Sequence, residues 1–231
     1  MKTALKALAL LGAWLAMAPS LSAQPVLLGT TEFRAPSLAA LPQWQRVLQK
    51  IEAERSIYRA CAAAEADCPS LGAAAWQAMI RKQAGRAPLD QLDTVNRFLN
   101  GWRYREDAGN YGRRDYWATP LEFLLRSGDC EDYAIVKYVT LRKLGFAAEQ
   151  LRLVVVHDAV RDLAHAVLAV YLDDQVYILD NLTRAVLPQE ETRQYVPYYS
   201  INETTRWAHV TPARALVSSS ASSHAPTAAS R

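Results

Sequence analysis

The chain is short of the features that would settle its class at once. Of 231 residues only three are cysteine, four are histidine and nine are glycine. Three cysteines are too few for a disulfide-built scaffold. The formal net charge of +3 is too small to argue for nucleic acid or an anionic membrane surface as a partner. Beyond Ala18 no apolar run is long enough to span a bilayer. No internal repeat is visible, which excludes solenoids and propellers. What remains, at 51% hydrophobic and 21% charged, is the composition of an ordinary globular domain with room for a real core.

The first residues stand apart. Lys2 and Lys6 precede an apolar run from Ala7 to Ala18, followed by Pro19, Ser20, Leu21, Ser22 and Ala23. This is the charged, apolar, small-residue order of a secretory signal peptide, with cleavage expected after Ala23. Residues 24–212 then form the expected domain. Residues 213–231 are Ser/Ala-rich, and from Ser218 onward they are expected to be disordered. An exported chain can carry disulfides. Cys61 and Cys68 lie seven apart, where a helix end turns back on itself, and they are the expected local pair. Cys130 is left over, and an odd thiol in an oxidising compartment points to function.

Helices come first. Pro42 opens an amphipathic pattern to Cys61 with Trp44, Val47, Leu48, Ile51, Arg55 and Tyr58 on one face. Two more helices are predicted, Leu71 to Lys82 and Leu89 to Trp102. Residues 103–117 read as an irregular loop rich in tyrosine, and Thr119-Pro120-Leu121-Glu122 reads as a helix start by capping-box spacing and a proline at the first helical position. After Gly145 the pattern changes to strands at Leu151–His157, His165–Leu172 and Val176–Leu179, with Asp173-Asp174-Gln175 as a turn. Helices followed by an antiparallel sheet make an α+β fold. Beyond Pro188 the chain reads as polar and rich in tyrosine, without a clear element.

The chemistry centres on Gly128-Asp129-Cys130-Glu131-Asp132-Tyr133-Ala134. Helical spacing from Tyr133 to Leu144 puts Cys130 in or beside a first helical turn, where unpaired N–H groups and the helix dipole favour a thiolate. Cysteines near helix starts are commonly inert, and acids are common in first turns. The leftover-thiol argument favours function all the same. A cysteine nucleophile needs a base and a group to orient it. Among His157, His165, His209 and His224, only His165 has an acid placed to reach it. If the last two predicted strands form a hairpin centred on the Asp173-Asp174 turn, His165 and Asp180 become near cross-strand neighbours.

Cysteine, histidine and aspartate in that order are common to papain-like and transglutaminase-like enzymes. Tyr116-Trp117-Ala118-Thr119-Pro120-Leu121-Glu122, the Asp-Cys-Glu-Asp core, His165-Ala166-Val167-Leu168 and Leu179-Asp180-Asn181 together resemble the bacterial transglutaminase-like cysteine proteinase family over roughly residues 40 to 210. The resemblance implies a papain/transglutaminase-like fold, with the nucleophile at a helix N-terminus packed on an antiparallel sheet, and a triad of Cys130, His165 and Asp180. It also implies a calcium site using Asp129, Glu131 and Asp132. A cation makes physical sense there, because three carboxylates beside a thiolate would otherwise raise its pKa. By the same resemblance the expected protein is a periplasmic endopeptidase. Its substrate would be the N-terminal region of a large surface adhesin, whose release disperses biofilm. Its sequestering partner would be an inner-membrane receptor for cyclic di-GMP. A transglutaminase, whose thioester is resolved by an amine, would use the same three residues, and a non-enzymatic calcium-binding periplasmic protein is a further alternative. Backbone N–H groups at the helix start would bind the oxyanion, with Trp102 and Trp117 as candidate side-chain donors.

Overall fold

The computed structural model describes residues 25–63 and 68–212. The expected signal peptide at 1–23 and the Ser/Ala-rich tail at 213–231 lie outside the described residues. Prolines and hydroxyls set most of the helix starts. Pro42 and Pro88 occupy the first turns of α1 (Pro42–Ala53) and α4 (Pro88–Leu99), and Ser70 caps α3 (Leu71–Gln83) by accepting the N–H of Ala73. The single helix expected from Pro42 to Cys61 is divided. Glu54 departs from helical geometry (φ −83°, ψ 2°) and separates α1 from α2 (Arg55–Ala62). Its buried carboxylate accepts the Tyr58 O–H at 2.7 Å and the Thr119 O–H at 3.1 Å, so the kink anchors these helices to the start of a later one. Cys61 and Cys68 form the expected disulfide.

The predicted loop at 103–117 contains a short helix, α5 (Asp107–Tyr111). Then α6 (Pro120–Arg126) begins with the predicted capping box: Thr119 Oγ1 accepts the Glu122 N–H at 3.3 Å, and Glu122 Oε2 accepts the Thr119 N–H at 2.8 Å. The central helix, α7 (Cys130–Lys143), is buried without a break from Asp132 to Leu141. It is enclosed on every side, so its sequence shows little of the one-sided pattern that marks a surface helix.

Seven strands form one antiparallel sheet in the order β1-β7-β6-β2-β3-β4-β5. They are β1 (Thr31–Ala35), β2 (Leu151–Asp158), β3 (Leu163–Leu172), β4 (Gln175–Leu179), β5 (Leu187–Pro188), β6 (Tyr195–Ile201) and β7 (Arg206–Val210). The three predicted strands are β2, β3 and β4. The other four were not legible. Pro197 argues against a strand in β6, and it sits where the β2–β6 register shifts between Val155 and Val156, a position that tolerates a missing donor. Strand β1 is a short edge strand paired with β7, without a regular alternation of burial.

Alternation along β3 divides the core. Leu168 and Val170 face the helical layer, together with Leu153, Leu179 and Ile201, and pack with α7 side chains such as Ile135, Tyr138 and Leu141. Val167, Ala169 and Tyr171 face the other way, into a smaller cluster closed by Leu27 from the start of the described chain. The tryptophans are largely core, as their helical spacing suggests. Trp44 meets Tyr138 edge-on at 5.5 Å and donates to the Asn202 carbonyl at 2.8 Å, and Trp76 donates to Thr140 Oγ1 at 2.8 Å. Truncating either fully buried ring would cost about 3–5 kcal/mol. No helix among the described residues is long and apolar enough to cross a membrane.

Candidate active site

The junction between α6 and α7 presents Cys130. Ser127 closes α6 with φ 67° and ψ −169°, a backbone conformation that side chains rarely adopt. Gly128 follows because nothing larger fits: a Cβ there would lie 1.9 Å from Asp132 Oδ2. That close approach lets the Asp132 carboxylate lie against the turn. Its Oδ1 accepts the Ala118 N–H at 2.6 Å and its Oδ2 accepts the Asp129 N–H at 3.3 Å. Cys130 is then the first residue of α7, where a nucleophile gains from the open N–H groups.

Cys130 and His165 line the same cavity, about 220 Å³, together with Asp115, Trp117, Glu131, Val155, Ala164, Ala166 and Tyr199. His165 is buried, and its Nε2 lies 2.9 Å from Asp180 Oδ1. The Asp180 carboxylate is held from three sides, since Oδ1 also accepts the Leu182 N–H at 3.0 Å and Oδ2 accepts the Tyr195 O–H. Asn100 adds a hydrogen bond to the Asp180 backbone carbonyl at 2.8 Å. Burial pushes Asp180 upward. The hydrogen bond and charge of His165, with the Tyr195 O–H, outweigh it and hold the carboxyl below its ordinary value. With Nε2 engaged, Nδ1 is the ring nitrogen left for a second partner. Tyr195 and Asn100 were not found by sequence reasoning: one lies in the unrecognised β6, and the other looks like an ordinary polar position near the end of a helix.

The remaining histidines are otherwise employed. His209 places Nδ1 2.8 Å from Thr30 Oγ1 and Nε2 2.8 Å from Ser200 Oγ, so both ring nitrogens serve the sheet. His157 lies 3.5 Å from Asp162 and beside the Tyr198 ring. His224 lies outside the described residues. Of the two candidate tryptophan donors, Trp117 lines the cavity. Trp102 instead packs against Phe98 and Phe123, and its carbonyl accepts the Tyr133 O–H at 2.6 Å.

The electrostatics around the thiol differ from the helix-start argument taken alone. Burial, and then the carboxylates of Glu131 and Asp129, push the Cys130 thiol up, and the Ala166 N–H pulls weakly the other way. The thiol donates to Glu131 Oε2 at 3.3 Å. Burial also pushes Asp129 up to about 8 and Glu131 up to about 7, with neighbouring acids adding to both, and it raises Asp132 well above its usual range. Burial and two nearby carboxylates thus oppose the thiolate that a helix start favours.

The three acids expected to hold calcium do not form one group by themselves. Asp129 and Asp132 gather with Asp107, while Glu131 gathers with Asp107 and Asp115, the ligand atoms in each set lying within 4.8 Å of one another. Asp107 and Asp115 come from residues 103–117, read from the sequence as an irregular loop. Asp129 Oδ1 and Asp107 Oδ1 are both buried without a hydrogen-bond partner. Two buried carboxylate oxygens that no N–H or O–H reaches, with further carboxylates beside them, suit a calcium ion.

The profile of the bacterial transglutaminase-like cysteine proteinase family, BTLCP, matches residues 49–215. Among solved structures, Legionella pneumophila LapG aligns at 31% identity with a TM-score of 0.58, covering 67% of this chain and 86% of that one. The calcium-bound form of Legionella pneumophila LapG aligns at 34% identity with a TM-score of 0.55, covering 59% of this chain and 77% of that one. Its EGTA-treated form aligns at 31% identity with a TM-score of 0.58, covering 67% of this chain and 84% of that one. No curated protein matches the chain.

Proposed function

The chain belongs to the bacterial transglutaminase-like cysteine proteinase family, and from that premise we propose that it is a calcium-dependent cysteine endopeptidase with Cys130 as nucleophile, His165 as base and Asp180 as the group that orients the base. The observation that carries this reading is the shared cavity: Cys130 and His165 both line it, and His165 is fixed from behind by Asp180.

His165 takes the Cys130 proton, and the thiolate adds to a peptide carbonyl. The N–H groups at the start of α7 receive the oxyanion. His165 then protonates the leaving amine, and water resolves the thioester. Asp180 keeps the imidazole in one tautomer and supports its charged form. The site fits calcium through the partnerless oxygens of Asp129 and Asp107, with Glu131 and Asp132 beside them. When bound, calcium supplies positive charge that offsets these carboxylates and lowers the cost of ionising Cys130.

The substrate is the N-terminal region of a large surface adhesin, cut in the periplasm after export of the protease by its signal peptide, so that release of the adhesin disperses biofilm. An inner-membrane receptor for cyclic di-GMP sequesters the protease. Family membership supports the protease and the calcium-bound LapG structure supports the cation, whereas the adhesin, the receptor and the periplasmic site rest on the motif resemblance around Cys130, His165 and Asp180. The test is cleavage of an adhesin N-terminal fragment by purified protein with calcium and with a chelator. Cleavage lost in chelator and restored by calcium is the expected result. Cleavage indifferent to chelator would remove calcium from the mechanism. Incorporation of an amine into glutamine peptides, without cleavage, would replace the protease by a transglutaminase.

A further inference from the structure

The five carboxylates near Cys130 fall into two overlapping groups, and Asp107 is the one member common to both. It is the first residue of α5, between α4 and α6 and well before the Asp-Cys-Glu-Asp core, and is only 2% exposed. One of its oxygens is accounted for, because Oδ2 accepts the Tyr116 N–H. The other, Oδ1, is buried and partnerless, as is Asp129 Oδ1. Asp132 differs in that both of its oxygens already receive backbone N–H groups. No ion pair among the described residues reaches Asp107 or Asp129. Leaving buried carboxylate oxygens unmatched is costly, and a hard cation with oxygen ligands removes that cost for both residues together.

We infer that Asp107 is a direct ligand of the calcium site, so that the cation ties residues 103–117 to the start of α7; this rests on the calcium reading above. The consequence reaches the cleft. Asp115 and Trp117, in the same 103–117 segment, line the cavity together with the nucleophile. Calcium loading therefore orders a wall of the substrate cleft as well as neutralising the acids beside the thiol.

The test is calcium titration by calorimetry on chelator-stripped protein, comparing the unsubstituted chain with Asp107→Asn, Asp129→Asn and Glu106→Gln. The Asp107→Asn side chain would still offer an acceptor to the Tyr116 N–H, so folding is checked by the melting temperature in chelator. Asp107→Asn is expected to weaken calcium binding more than tenfold, as Asp129→Asn does. Glu106→Gln, which removes the same charge one residue away, is expected to leave it unchanged. Hydrogen exchange supplies a second readout: calcium should slow exchange across 103–117 in the unsubstituted chain and not in Asp107→Asn. Should Asp107→Asn fail to fold, a calcium-soaked crystal of the unsubstituted protein decides, with Asp107 Oδ1 expected about 2.3–2.6 Å from the ion. Undiminished affinity in Asp107→Asn beside lost affinity in Asp129→Asn would overturn the assignment of Asp107 and leave the calcium reading standing. No calcium binding by the unsubstituted chain would overturn both.

Discussion

His165 and Asp180 are joined across 2.9 Å although they do not face each other in the β3–β4 ladder. The ladder runs from Leu172↔Gln175 to Leu168↔Leu179, so its continuation would place Asp180 across from Val167. The pair is diagonal, two residues apart on the same face, a separation that an aromatic side chain such as the imidazole can bridge. The hairpin is thus shifted from the centre inferred from residue numbers, and the diagonal still brings the imidazole and the carboxylate together.

Cys130→Ala is expected to abolish peptide cleavage and leave the melting temperature within a few degrees of the unsubstituted chain. His165→Ala should lose at least about a hundredfold in kcat/KM. Asp180→Asn should fall by a similar or smaller factor, since it retains an acceptor for the ring. Cleavage assays with calcium present check all three, and activity surviving in Cys130→Ala would end the proposed mechanism.

The acid cluster makes stability depend on pH in a defined direction. Asp107, Asp129 and Glu131 are raised to about 6, 8 and 7, chiefly by burial, from ordinary values of 3.8, 3.8 and 4.5. Between the unfolded and folded values the native state holds more protons than the unfolded one, so stability falls as pH rises. In chelator the melting temperature should drop from about pH 4 toward pH 8. Calcium, which binds the ionised carboxylates, should remove most of that slope, and its affinity should weaken as pH falls from about 8 to below 6. Thermal scans across pH with and without calcium measure both effects. A melting temperature that rises toward pH 8 in chelator would contradict the account.

Gly128→Ala places a Cβ against the Asp132 carboxylate, 1.9 Å from Oδ2. The carboxylate cannot swing away without giving up the N–H groups of Ala118 and Asp129. A loss of about 1–3 kcal/mol in denaturant unfolding is expected, accompanied by weaker calcium binding. A neutral result would show that the turn is less tightly constrained than this packing implies.

Lys137 is fully buried in α7, and its Nζ has no hydrogen-bond partner. Burial lowers its pKa to about 7, against an opposing pull from Asp180. The unfolded chain keeps this lysine charged up to about 10.5, so the cost of the buried charge is greatest below pH 7 and fades toward pH 10.5. Lys137→Met should therefore be more stable than the unsubstituted chain by about 1 kcal/mol or more at pH 6, with the gap narrowing at alkaline pH. Denaturant midpoints at two pH values test this, and a variant less stable at pH 6 would mean that the ammonium is compensated.

Much of this protein was legible from local pattern. Capping residues announced α6, glycine and spacing announced α7, β-branched runs announced β2, β3 and β4, and cysteine parity singled out Cys130. These features depend on neighbours a few residues apart in the chain, which is why residue order reveals them. The rest depends on contacts between distant segments. Strand β6 contains a proline at the register shift against β2, beyond the residues it pairs with β7. Tyr195 meets Asp180, and Asp107 meets Asp129 and Asp132, only because the folded chain brings separate loops and strands to one end of α7. Residue order alone established an α+β chain with one odd cysteine at a helix start and a histidine and an aspartate placed to pair. Which carboxylates share a site, and how strongly burial opposes the thiolate, emerged only in the folded chain, because proximity and desolvation come from packing and not from residue order.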